Sequence, residues 1–205
     1  MGDLAELLVS AGEAGGIYAL AALAYLLVLR PTGIINFATG ELATLGAFTG
    51  VACLVWAKLP YYVALPAVVI AIGLVSLLTE RTAVRPLLQR GAPELAPVLV
   101  LLGMLIIYRE AGIAIFGTAN LFSPPPFGFT RVSIGPFGGV TQSFLIIALV
   151  AVVFLGVWLF FEKTVWGKAF EAVAIDRHAA ALAGINLNLV TAAAFAAGGA
   201  IAGLA

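Results

Sequence analysis

Of 205 residues, 63% are hydrophobic and 10% charged, and the mean hydropathy is +1.15; a soluble domain carries about 25% charged residues, so a water-soluble fold is excluded. Ten Lys and Arg balance ten Asp and Glu, leaving no basic surplus to suggest a nucleic-acid partner. One cysteine (Cys53) and one histidine (His178) exclude an internal disulfide and are too few for a transition-metal centre, and no cofactor is expected.

The apolar residues lie in continuous runs, which select membrane helices over the alternating strands of a barrel. Six runs follow in chain order. The first, Ala14–Leu29, is preceded by Asp3, Glu6 and Glu13, so its lead-in is acidic and unlike a cleavable signal peptide. Arg30-Pro31 closes it, and a polar stretch, Gly33–Glu41, leads into the second run, Leu42–Ala57. Tyr61–Thr79 is the third and Leu95–Phe116 the fourth. An external loop, 117–142, carries Pro124-Pro125-Pro126 and Gly135-Pro136. Its Phe127, Phe129, Val132 and Ile134 alternate with smaller or polar residues, which predicts a short extended hairpin. Phe144–Phe161 is the fifth run, a cytoplasmic loop covers 162–186, and Leu187–Ala205 is the sixth. The fold class is an all-α polytopic bundle of about six spans in one domain, 1–205.

Charge orients the bundle. With the N-terminus outside, Arg30, Arg81, Arg85, Arg90, Lys163, Lys168 and Arg177 fall inside, against Lys58 and Arg131 outside; the reverse orientation violates the positive-inside rule.

Two places carry polar residues where an apolar run would have none. Asn36, Thr39, Gly40 and Glu41 interrupt an otherwise apolar stretch from Ile34 to Trp56, either as a substrate pathway in a broken helix or as a simple turn after Arg30. Glu41 is a candidate for the ammonium group of a zwitterion. Arg109 and Glu110 lie within the fourth run. Adjacent on a helix, they point about 100° apart and need separate partners. Arg109 either snorkels to the outer interface or lines a pathway.

In the internal loop, Ala-rich sequence without proline predicts one helix over Lys168–Ala183, with Gly184 as its left-handed stop. Phe170, Val173, Ala174 and Ala181 form an apolar stripe, and Asp176, Arg177 and His178 a polar cluster. Such a helix is either a connector or an element that lies at the membrane surface or docks in a partner's groove.

Four blocks in order resemble the permease subunits of branched-chain amino acid ABC transporters, of the LivH/LivM type. GGIYALAALAYLLVLRPTGIINFATGELATLGAF (Gly15–Phe48) is similar to the family's opening, with Thr39 where His is usual. TERTAVRPLL (Thr79–Leu88) resembles its Glu-Arg-x-x-x-Arg-Pro-Leu connection, and FGTANLFSPPPFGFTRVSIGPFGGV (Phe116–Val140) its proline-rich external segment. WGKAFEAVAIDRHAAALAGIN (Trp166–Asn186) resembles its cytoplasmic loop. The resemblance implies an inner-membrane transport subunit that pairs with a second homologous permease. Two cytoplasmic ABC ATPase subunits and an external substrate-binding protein complete the assembly it implies. It also implies that Lys168, Phe170, Glu171, Ala172, Asp176, Arg177, His178 and Gly184 belong to a coupling helix that fits the ATPase. Family members usually continue for several more spans, so the resemblance implies a chain shortened inside its sixth run. Related permeases for urea or short-chain amides share the same blocks, and a non-transporting assembly subunit is a third reading. No Gly-x-x-x-x-Gly-Lys-Ser/Thr loop is present, so ATP hydrolysis falls to another subunit. No span carries the paired carboxylates or the Ser/His/Asp set of an enzyme.

Overall fold

A computed structural model describes residues 2–93, 95–117, 131–134 and 137–205. The chain is an all-α polytopic membrane bundle. Among the described residues, five helical stretches are long and apolar enough to cross a membrane: Glu6–Thr32, Thr39–Trp56, Tyr61–Gln89, Leu95–Phe116 and Thr141–Lys163.

Helix α1 (Gly2–Thr32) ends with Arg30 in its last turn and Gly33 at φ +70°. Helix α2 (Thr39–Val51) continues through a π-helical turn at Ala52–Trp56. Helix α3 (Tyr61–Thr79) runs through a second π-turn, Glu80–Val84, into α4 (Arg85–Gln89), and α5 (Leu95–Phe116) follows. Strands β1 (Arg131–Ile134) and β2 (Phe137–Val140) pair antiparallel, with Ile134 opposite Phe137. The expected hairpin therefore includes Val132 and Ile134, while Phe127 and Phe129 lie outside the described residues. Helix α6 (Thr141–Lys163) precedes α7 (Val165–Ile175), α8 (Arg177–Leu182) and α9 (Leu187–Ala202).

Helix α9, which covers the sixth apolar run, is the bundle's central rod, packed against α1 and α3. Its small residues permit this: a Cβ on Gly198 would come within 2.9 Å of the Ala24 carbonyl oxygen, and one on Gly199 within 2.9 Å of that of Ile72. Close backbone approach by small residues is how helices associate where no hydrophobic effect separates protein from lipid. Ser76 adds a hydrogen bond, donating from Oγ to the Phe195 carbonyl at 2.6 Å.

The single helix expected over Lys168–Ala183 is in fact two. Asp176 is extended (φ −150°, ψ 105°), and its carboxylate accepts from the backbone N–H groups of His178 (2.8 Å) and Ala179 (3.0 Å). A short acidic side chain competes with the helix backbone for such donors, so it breaks α7 and caps α8. Gly184 has the anticipated positive φ, +85°, where a side chain would be strained.

Candidate functional site

The polar break between α1 and α2 is built by short side chains. Thr32 donates from Oγ1 to the Val28 carbonyl (2.5 Å) and accepts from the Ile34 N–H (3.1 Å). Asn36 turns the chain with its Oδ1, which accepts from the Ala38 N–H at 3.1 Å. Thr39 donates to the Asn36 carbonyl at 2.9 Å. Asn36 and Thr39 are both buried, so the two residues singled out in the sequence shape the backbone of the break.

The break lies well inside the bundle. Ile34 packs with Val28, Val84, Leu101 and Phe195. Phe195 is roughly 12 Å up α9 from its first residue, Leu187. Glu41, in the first turn of α2, shares a groove with Arg109, which lies roughly 20 Å along α5 from Leu95. The Gly33–Ala38 stretch is thus packed inside the bundle, between the end of α1 and the first turn of α2.

Two grooves flank the start of α2. One, of 350 Å³, is lined by Glu41, Thr44, Leu45 and Phe48 of α2 and by Tyr108, Arg109, Gly112 and Ile113 of α5. It brings a carboxylate and a guanidinium to one cavity with apolar walls. The ion pairs found among the described residues, Glu80–Arg85 and Lys168 with Glu162 and Glu171, include neither Glu41 nor Arg109. The other groove, of 280 Å³, has Asn36 and Thr39 on its wall with Tyr25, Phe37 and Gly40. Glu110 lines neither groove and is exposed, so the structure separates it from the other four residues.

Tyr108 carries no signal of its own in the sequence. It is buried under the groove and hydrogen-bonded to Thr79 of α3, yet in the sequence it is one more aromatic in an apolar run. Glu80 was visible only as part of a connection block. It is 1% exposed and held by Arg85 through Nε–Oε1 (3.0 Å) and a second contact to Oε2 (2.9 Å). Arg85 also donates to the Asn188 carbonyl at 3.4 Å, tying α3 to the start of α9.

The α6–α9 loop is arranged differently from the expected stripe. Phe170 and Val173 are buried against Phe160, Phe161, Val190 and Ala194 of the chain's own helices. Phe160 and Phe161 meet Phe170 edge-on, at centroid distances of 5.8 and 6.0 Å. Ala174 and Ala181 stay exposed; the break at Asp176 turns α8, which carries Ala181, away from the line that a continuous helix would follow. Ala172 packs beside Phe170, and Lys168 pairs with Glu171 at 3.1 Å. His178 is exposed, as are Ile175 (87%) and Leu182 (78%). Asp176 is held below the usual carboxylate range, first by the Ala179 N–H, then by that of His178 and by the His178 ring charge. Burial pushes the half-buried Arg177 guanidinium down. Arg177 donates to the carbonyls of Pro31 (2.9 Å) and Thr32 (3.0 Å) at the end of α1.

Residues 9–205 match the family model described as "Branched-chain amino acid transport system / permease component". The chain is 30% identical over 213 residues to the high-affinity branched-chain amino acid transport system permease protein BraD of Pseudomonas aeruginosa, covering 97% of this chain and 68% of that protein. The probable branched-chain amino acid transport permease protein LivH of Methanocaldococcus jannaschii is 27% identical, over 99% of this chain and 66% of its own length. The high-affinity branched-chain amino acid transport system permease protein LivH of Escherichia coli K12 is 28% identical, with 93% and 65% covered. The chain thus spans about two thirds of the length of these relatives. No solved structure matches.

Proposed function

The chain belongs to the branched-chain amino acid permease family, and from that premise we propose that it forms part of the membrane pathway of an ATP-driven importer for these amino acids. The observation that carries this reading is the 350 Å³ groove lined by both Glu41 and Arg109. A branched-chain amino acid is a zwitterion with an apolar side chain. Its ammonium group needs an anion, its carboxylate a cation, and its side chain an apolar wall. Glu41, Arg109 and the surface of Leu45, Phe48 and Ile113 supply these three. Charges within membrane-spanning helices are unfavourable by roughly 3 kcal/mol each unless they face water or a partner, which is why such residues mark substrate routes. The start of α2 beside the groove follows the broken-helix pattern of transporter sites.

The end of the bundle bearing Arg30, Arg85, Lys163 and Arg177 faces the cytoplasm in the inner membrane. There α7 and α8 contact an ABC ATPase, one of two that hydrolyse ATP for the assembly. The contact is made by the exposed Ile175, Leu182, Lys168 and His178, since Phe170 is spent on internal packing. A second permease and an external substrate-binding protein complete the assembly.

The test is Glu41→Gln in proteoliposomes containing this chain and its partner subunits. ATP-driven uptake of radiolabelled leucine is expected to fall at least ten-fold while the subunits still copurify. Unchanged uptake kinetics would show that Glu41 only starts the helix.

A further inference from the structure

At the end of α1 the Leu29 carbonyl accepts from the Gly33 N–H, but those of Pro31 and Thr32 lie beyond the last helical bond. Pro31 and Thr32 are buried, and Gly33 turns the chain away. Unpaired carbonyls at a buried helix end are destabilising, and the negative end of the helix dipole adds to the demand for a cation. Arg177 meets it from nearly 150 residues away, its Nη1 bridging the carbonyls of Pro31 (2.9 Å) and Thr32 (3.0 Å). Arg177 is also the first residue of α8, directly after the extended Asp176. The side chain that closes α1 is therefore mounted on the hinge of the loop.

The two sides of that hinge are anchored unequally. Phe170 and Val173 bind α7 into the bundle, whereas Ala180 is the sole buried residue of α8. On the α1 side, a short hydrogen-bonded path leads inward. Thr32 Oγ1 takes the Ile34 N–H, the Asn36 side chain takes the Ala38 N–H, and Thr39 starts the helix that carries Glu41.

We propose that Arg177 is the positioning residue through which α8 sets the α1–α2 break and thereby the groove of Glu41 and Arg109. This role rests on the reading of that groove as the substrate route. A shift of α8 at Asp176 carries the guanidinium with it. Either the Pro31 and Thr32 carbonyls follow, tilting the break, or the clamp opens and frees it. Both change the position of Glu41 without any change in the helices that surround it.

The full chain in lipid nanodiscs, as wild type, Arg177→Gln, Arg177→Lys and Thr32→Val, is compared by backbone amide hydrogen exchange. Each form is then assembled with its partner subunits for leucine uptake and ATP hydrolysis. In Arg177→Gln the amides of residues 33–41 are expected to exchange at least ten-fold faster, with those of Leu187–Ala202 unchanged. Leucine taken up per ATP hydrolysed should fall at least five-fold, and Arg177→Lys should recover part of it by returning one charged donor. Thr32→Val cuts the path beyond the clamp and should speed exchange at 33–41 while sparing 177–182. Unchanged exchange at 33–41 in both variants overturns the proposal. So does an equal fall of uptake and hydrolysis, the mark of a purely structural contact. If Arg177→Gln does not assemble, Thr32→Val decides alone. A wild-type assembly that takes up no leucine defeats the transport reading of the groove, and the exchange data still decide whether Arg177 holds the break.

Discussion

Glu80 is buried to 1% at the basic end of α3, and it is tolerated because Arg85 holds it with two charge-assisted hydrogen bonds. Such a pair is not by itself a source of stability, since desolvation offsets most of its Coulomb energy. Removing one partner is different, because a buried charge is left alone. Arg85→Gln should destabilise the chain by about 3 kcal/mol, toward the lower end of the range because Arg85 keeps 24% of its side chain exposed. Glu80→Gln in the same background should restore much of the loss. Thermal unfolding of the single and double variants in detergent checks this, and additive losses would show that the two residues act independently. The i, i+5 spacing of this pair was on view in TERTAVRPLL, but only the π-turn at Glu80–Val84 shows how it closes.

At the scale of elements, α9 shows how small residues let an apolar helix pack as an interior rod. A Cβ on Gly199 would come within 2.3 Å of the Ser76 Cβ, so Gly199→Ala must push α9 off α3. Overpacking of this kind costs about 1–3 kcal/mol. Gly15→Ala is the control, because nothing lies within 4 Å of its added Cβ. An alanine in a helix interior is favoured over glycine by roughly 1 kcal/mol. Melting temperatures should therefore drop for Gly199→Ala and hold or rise for Gly15→Ala, and equal temperatures would contradict the close approach. The loop between α6 and α9 teaches the converse. Its helical propensity was legible, but Asp176 had two uses open to it, a surface charge or a cap. Only the fold chose the cap, and with it the buried face of Phe170 and Val173.

For the whole molecule, the distribution of basic residues supports an orientation with Arg30, Arg85, Lys163 and Arg177 in the cytoplasm. Replacing Cys53 with alanine permits a single-cysteine test. A cysteine at Lys58 should react with a membrane-impermeant maleimide added outside, and one at Arg90 only after the membrane is opened. The opposite pattern would invert the bundle. Composition and run length by themselves determined that this chain is a helical membrane protein, because a backbone in hydrocarbon has no other way to satisfy its polar groups. The family blocks were equally legible, since they are local strings. Partnership was not. That Glu41 and Arg109 line one groove while Glu110 does not, and that Arg177 closes α1, were decided by tertiary structure alone. Each depends on how helices distant in sequence are aligned along their axes, and no residue carries that alignment within its own neighbourhood.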